Sequence, residues 1–332
     1  MPMDQSRVET MSSIRKITDY DDFNLYKMDI EYDYDLNRII DNWNGDNSTL
    51  IDVILAEAAP GLKVDIEMPE FGCTVFSSEI RGDAVMGRNY DFKLDSSAMM
   101  VRCKPKNGYR SIGFCALDNL RANDPFESDA ARVSCLASPF TCLDGINEKG
   151  VSIAVLTLDS QPTKQDTGKK KISTTLAIRL ILDEASSTKE AVELFKQYDM
   201  IASSGRDYHF FVSDNTGCSY SFEYDCDSRE RPLVSTPSMI LTNFFTIYGD
   251  MVAPNQKNGP YGHGKERYDK VMEELGKTNY SPWQALKAAS VEPNPDDITS
   301  NTQWSIIFNN SVPSAEICIR RRWDDKFKFS VE

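Results

Sequence analysis

The stretch from Gly72 to Phe92, Gly-Cys-Thr-Val-Phe-Ser-Ser-Glu-Ile-Arg-Gly-Asp-Ala-Val-Met-Gly-Arg-Asn-Tyr-Asp-Phe, constrains the fold more than any other part of the chain. Cys73 to Ser77 alternates in polarity, Arg81-Gly82-Asp83 reads as a turn, and Ala84 to Met86 continues extended. With Gly82-Asp83 as the tip of a two-residue hairpin, paired residues sum to about 165, which sets Cys73 opposite roughly residue 92. The second strand then returns Arg88 and Asp91 to the neighbourhood of Cys73. A thiol, a guanidinium and a carboxylate meet there without a histidine.

The composition changes at the same place. Residues 1–72 hold 16 Asp and Glu against 6 Lys and Arg, a net of −10 out of −14 for the chain. This asymmetry marks the first 72 residues as a separate functional piece, an acidic leader ahead of a body at 73–332. An acidic chain is a poor partner for nucleic acid or anionic lipid. At 332 residues and 40% hydrophobic residues it can bury a large core. No apolar run is long enough to span a bilayer, and the N-terminus lacks the apolar stretch of a secretion signal, so a cytoplasmic location is expected. The eight cysteines include no CxxC pair, and with only two histidines, His209 and His263, a zinc hydrolase built on several histidines is excluded; no metal and no cofactor is expected.

Coarse patterning gives an α+β body with a mostly antiparallel sheet. In the leader, Asn47-Ser48 is read as the cap of a helix with Leu50, Ile51, Ile54 and Leu55 on one face, ended by Ala59-Pro60-Gly61. Tyr26 to Tyr34 is acidic, aromatic and extended. Val151 to Leu156 reads as a strand and Thr174 to Ala185 as a helix, and Ser187-Thr-Lys-Glu190 is a capping box opening another helix. His209–Val212 and Tyr220–Glu223 flank the turn Asp214-Asn-Thr-Gly217. Met239–Thr242 is a short strand ending at Asn243. Helices follow at 265–275 and 282–289, then a hairpin of 304–308 with 316–319. The basic runs Lys169–Lys171 and Arg320–Arg322 read as a solvated loop and as a strand with charged outer positions.

The chemistry open to Cys73 follows from its neighbours. A nearby cation favours thiolate, the reactive form. Neither histidine is close in sequence to serve as base. If the Gly72–Cys73 peptide is cut, Cys73 gains an α-amine with a pKa of about 7.7–8.0, which can act as general base on its own thiol. Asp91 can hold that amine, and Arg88 can favour the thiolate.

These residues, with Cys73-Thr74, Gly87-Arg-Asn-Tyr-Asp91, Asp144-Gly-Ile-Asn-Glu-Lys-Gly150, Leu241-Thr-Asn243 and Arg267 in order along 73–332, resemble the choloylglycine hydrolase family. The resemblance implies a four-layer αββα N-terminal-nucleophile hydrolase fold and hydrolysis of a linear amide through an acyl-enzyme on Cys73. It implies Cys73 as nucleophile, Arg88 and Asp91 orienting it, Asn243 donating to the oxyanion and Arg267 stabilising the site. Bile salt hydrolases have a second oxyanion Asn where Thr157 stands here, so Thr157 or a backbone amide must substitute. The long leader ending in Gly-Cys is more like that of acid ceramidase and related amidases. It is expected to cover the acyl pocket of a latent precursor. Phe92 and Phe244, with Tyr90, Phe245 and Tyr248, either line an acyl pocket or belong to the core; His263 has no assigned role.

Acyl transfer on the same scaffold, a non-catalytic binding protein that keeps the fold, and a Cys-His protease are the competing readings. The expected partner is a small N-acyl amide, which the residues do not specify further: bile acid conjugates, N-acyl amino acids, lipid amides and penicillins all fit. A homo-oligomer is compatible with the sequence.

Overall fold

The structure, a computed structural model, describes residues 4–61, 72–252, 262–294, 296 and 300–332. The leader forms α1 (Gln5–Ser12), β1 (Arg15–Lys16), β2 (Leu25–Asp29), α2 (Leu36–Asn42) and α3 (Asn47–Ala58). The body opens with β3 (Gly72–Ile80), β4 (Asp83–Asp91), β5 (Ala98–Cys103) and β6 (Ser111–Ala116). A short helix α4 (Asp129–Ser134) and a 3-10 segment at Cys135–Phe140 precede β7 (Asp144–Asn147) and β8 (Ser152–Leu158). Next come β9 (Lys170–Ser173), α5 (Thr174–Glu184), α6 (Thr188–Phe195), β10 (Tyr198–Ile201), β11 (Asp207–Ser213), β12 (Ser219–Tyr224), β13 (Leu233–Pro237) and β14 (Ile240–Leu241). A 3-10 segment at Thr246–Met251, α7 (Lys265–Leu275), α8 (Pro282–Ala288), β15 (Thr302–Asn309), β16 (Ser314–Ile319) and β17 (Lys326–Ser330) complete the chain.

The strands build two large sheets among the described residues. One is nine-stranded in the order β1-β2-β5-β6-β7-β8-β11-β12-β13, the other six-stranded in the order β14-β3-β4-β15-β16-β17. They face each other: Phe114 meets Phe308 edge-on with ring centroids 6.0 Å apart, and Asn310 of the smaller sheet's β15–β16 turn donates to Ser152 Oγ at 2.7 Å. Helix α6 covers the outer face of the larger sheet, where Phe195 packs on Phe210 and Phe222. Helices α7 and α8 cover the smaller sheet, with Val271, Ala285 and Leu286 against Phe76 and Ile307. The expected α+β, four-layer arrangement is the one observed.

The leader is woven into this body. β2 pairs in parallel with β5, Leu25 opposite Ala98, so the chain before Cys73 supplies two edge strands of the larger sheet. Tyr32 donates to the Leu136 carbonyl at 2.6 Å and Tyr34 to Asp183 at 3.0 Å, and the leader's Ile14, Leu25, Trp43, Leu50 and Ile54 join the main core. The helix cap in this segment is Asp46, which accepts from Ser48 N, and not Asn47-Ser48. The leader's acids meet bases of the body: Asp22 pairs with Arg320 and Arg322, Asp29 with Arg102, Asp41 with Lys170. The two basic runs are therefore not plain solvated faces. Lys170 and Lys171 lie in β9, and Arg320 and Arg321 sit in a turn with φ of 47° and 61° instead of in a strand. The apolar side of α3, with Leu50, Ile54 and Leu55, is spent on this packing.

Candidate active site

The β3–β4 hairpin sets the geometry. Its tip is Arg81-Gly82, both in the left-handed region (φ 55° and 92°), the primed turn whose twist suits a two-residue hairpin. The expected tip, Gly82-Asp83, is one residue late, because a non-glycine at the first left-handed position conceals the turn. Cys73 consequently pairs with Tyr90, Val75 with Arg88 and Gly72 with Asp91. Parity along these strands separates the expected trio. Cys73, Arg88 and Tyr90 share the face toward the larger sheet, while Asp91 and Thr74 share the opposite face, toward α7.

Arg88 crosses the gap between the sheets. Its Nε donates to Asp144 Oδ2 at 2.5 Å and its Nη1 to the Val155 carbonyl at 3.0 Å. Both charges of the pair are wholly buried. Asp144 opens the Asp144–Gly150 motif, and Trp304, stacked on Tyr90 at 4.1 Å, also donates to it at 3.4 Å. Burial pushes the Asp144 carboxyl above the usual carboxylate range, with Arg88 pulling the other way. Burial likewise opposes the charge on Arg88, but Cys73 and Asp144 beside it hold its pKa above the ordinary value.

Arg267 reaches the same residue from the other side. Its Nη1 donates to the Cys73 carbonyl at 2.6 Å, to Thr74 Oγ1 at 3.1 Å and to Asp91 Oδ2 at 3.2 Å, and its Nη2 donates to Asn243 Oδ1 at 2.7 Å. This reach requires a glycine at the helix start: Gly264 has φ 78°, and a Cβ there would lie 2.5 Å from Arg267 Nη2. Asp91 also accepts from Thr302 Oγ1 at 2.7 Å, and burial raises its pKa against the pull of Arg267 and Thr302. In the single-chain form the Cys73 amide is held not by Asp91 but by Asn243 Oδ1, at 3.0 Å.

Asn243 is buried, and both its side-chain oxygen and its nitrogen are engaged. Besides accepting from Cys73 N and Arg267, its Nδ2 donates to the Thr157 carbonyl at 2.7 Å. Thr157 thus enters the site through its backbone, while its Oγ1 is buried without a hydrogen-bond partner among the described residues. Phe92 and Phe244 are buried too, Phe244 tilted against Tyr268 at 5.6 Å and Phe92 against Tyr90 at 6.4 Å. Cys73 itself is wholly buried, and burial pushes its thiol up to about 12; Arg88 and Arg267 pull it down and Asp91 pushes it further up. Asp144, Thr302 and Thr74 were not singled out in the sequence, although Asp144 and Thr74 lie inside the motifs that were.

His209 stays apart from the thiol. His209 is buried against Glu223 and the Thr242 carbonyl, so no Cys-His dyad forms through it.

Two facing sheets between helical layers, with a cysteine at the head of an inner strand and two arginines converging on it, define an α+β hydrolase fold of the N-terminal-nucleophile class. The model for linear amide C-N hydrolases, choloylglycine hydrolase family, matches residues 73–228. Among solved structures it is similar to penicillin V acylase from Agrobacterium tumefaciens, with 16% identity over 78% of this chain and 86% of that one and a TM-score of 0.55. Two variants of the conjugated bile acid hydrolase from Clostridium perfringens match at 15% and 17% identity, over 78% of this chain and 92% of theirs, with TM-scores of 0.54 and 0.55. At these identities the likeness establishes the fold. No curated protein matches. The matched model is one of linear amide C–N hydrolases, which supports cleavage of a linear amide C–N bond as the reaction class. Among the described residues no helix is long and apolar enough to cross a membrane.

Proposed function

We propose that the chain is a precursor cut between Gly72 and Cys73, and that the freed Cys73 attacks the carbonyl of a small N-acyl amide to form a thioester, which water then hydrolyses. The observation that carries this reading is the convergence on one residue: Asn243 on the Cys73 nitrogen, Arg267 on its carbonyl, and the Arg88 guanidinium on its thiol side. An ordinary buried cysteine needs none of these. In the intact chain the thiol is protonated and sealed, so it is a dormant nucleophile. Cleavage would replace the amide by an amine that takes the thiol proton, and Asn243 would offer one acceptor to hold that amine. Asp91 acts one step away, by fixing Arg267. Asn243 Nδ2 has a second N–H beyond the one given to Thr157, and this is the donor proposed for the developing oxyanion. The buried Phe92 and Phe244 beside this group suit an apolar acyl chain.

Residues 1–72 would then be the smaller of two chains after cleavage, still supplying edge strands to the sheet. The reading is tested by assaying purified protein and Cys73→Ala on N-acyl amides varied in acyl chain and head group. Release of the amine by the native protein alone, with acyl transfer absent when an acceptor amine is added, supports hydrolysis. Equal activity of Cys73→Ala would refute the assignment.

A further inference from the structure

The segment that carries Asn243 has almost no regular structure to hold it. Strand β14 ends at Leu241, whose ladder partner is Val75, and the next 3-10 segment starts only at Thr246. What fixes it is a buried pair on the facing sheet, His209 of β11 beside Glu223 of β12. His209 Nε2 lies 2.7 Å from the Thr242 carbonyl, and Nδ1 lies 3.0 Å from Glu223 Oε1. Glu223 also accepts from Thr246 N at 2.8 Å, Ile247 N at 3.1 Å and Thr246 Oγ1 at 2.5 Å.

One proton position follows from these partners. A carbonyl oxygen only accepts, so Nε2 carries a hydrogen. Nδ1 faces the Glu223 carboxyl, which takes three donors from the segment itself. The pair grips the chain on both sides of Asn243, His209 at residue 242 and Glu223 at 246 and 247. A buried polar pair is a poor device for bulk stability, since apolar residues of similar volume do as well or better. It is a good device for holding one segment in one place.

We propose that His209 and Glu223 are a positioning clamp: the imidazole and the carboxyl together fix the Thr242–Ile247 segment and so hold Asn243 against Cys73. Neither touches the reacting atoms. The inference rests on the reading of Asn243 as a site residue beside Cys73.

The test uses full-length protein labelled with 15N-histidine. Only two ring spin systems are present, and His263→Gln assigns them. The clamp requires His209 Nε2 to carry a hydrogen-bonded proton, given to the Thr242 carbonyl. In His209→Leu the Asn243 side-chain amide resonance, assigned with Asn243→Asp, should move, and kcat on an N-acyl amide should fall about 10- to 100-fold, as for a misplaced site group, with KM little changed. His209→Gln, whose amide can still donate to the Thr242 carbonyl, should retain more activity than His209→Leu. A His209 ring whose Nε2 carries no proton overturns the proposal, as does a folded His209→Leu protein with an unmoved Asn243 resonance and unchanged kcat. If His209→Leu does not fold, the His209→Gln variant and the ring nitrogens of the native protein decide. A native protein that hydrolyses no amide, yet shows the protonated Nε2 and the Asn243 shift, would fail the amidase reading and leave the clamp standing.

Discussion

Arg267→Ala should destabilise the fold by far more than a surface arginine would. The guanidinium is 3% exposed and meets four acceptors, one of them the wholly buried Asp91. Removing it leaves a buried carboxylate with Thr302 as its donor, and leaves the Cys73 carbonyl without its 2.6 Å partner. Breaking a buried ion pair from one side costs about 3–5 kcal/mol, against at most about 1 kcal/mol for an exposed pair. At roughly 2–4 °C per kcal/mol for domains approaching this size, Tm should fall on the order of 10 °C. The measurement is thermal and urea unfolding in a Cys73→Ala background, which keeps the chain in one covalent form. Arg267→Leu combined with Asp91→Asn should recover much of the loss, because no uncompensated charge then remains. A loss below about 1 kcal/mol, or no recovery in the double variant, would refute the buried-pair reasoning. The sequence alone led us to expect Arg267→Ala to lower turnover more than folding stability; the contacts predict that stability falls as well.

Three further outcomes follow from the contacts. Gly264→Ala must hold a non-glycine residue at φ 78° and put a Cβ 2.5 Å from Arg267 Nη2, so it should cost about 1–2 kcal/mol for the backbone alone and lower turnover as well; unfolding and kinetics on the same preparation check this. The buried thiols Cys73, Cys103, Cys115 and Cys318 are raised from 9.0 to about 12, 11, 12 and 12. The stability this contributes is fully present below pH 9.0 and is lost as pH rises through those values, so urea midpoints should hold to about pH 9 and then decline, less steeply in Cys115→Ala. After cleavage, residues 1–72 should remain bound in 1 M salt, because apolar contacts of Leu25, Trp43, Leu50 and Ile54 outlast the screened ion pairs; size-exclusion chromatography that separates the two chains would contradict the shared-sheet packing.

How much of this was legible beforehand differs from element to element. Helices α5 and α7 were placed nearly to the residue, because apolar spacing and caps such as Ser173 are local signals. The hairpin was found but its tip was misplaced, since the φ > 0 position taken by Arg81 leaves no sequence mark. Strands β1, β5, β6, β7, β9, β10, β13 and β17 went unread, and β2 was seen only as an extended stretch from Tyr26; it pairs with a strand some 70 residues away, and such pairing has no local signature. The leader's negative charge was seen correctly but its partners were not: the acids answer Lys170, Arg320 and Arg322, not the arginines at the site. Of the candidate site, Cys73, Arg88, Asp91, Asn243 and Arg267 do converge. Their division between the two faces of one hairpin was missed, although parity contained it. The His209–Glu223 pair was invisible because both residues read as ordinary members of a hairpin.

The account depends most directly on the covalent state of Cys73 in working enzyme. Intact-mass spectrometry of active protein, before and after a brief exposure to an N-acyl amide, measures it. The prediction is a body chain beginning at Cys73, a separate chain ending at Gly72, and a transient acyl adduct on the body chain that Cys73→Ala, which should stay full-length, never shows. Full activity in protein of uncut mass, or an adduct that persists in Cys73→Ala, would contradict it.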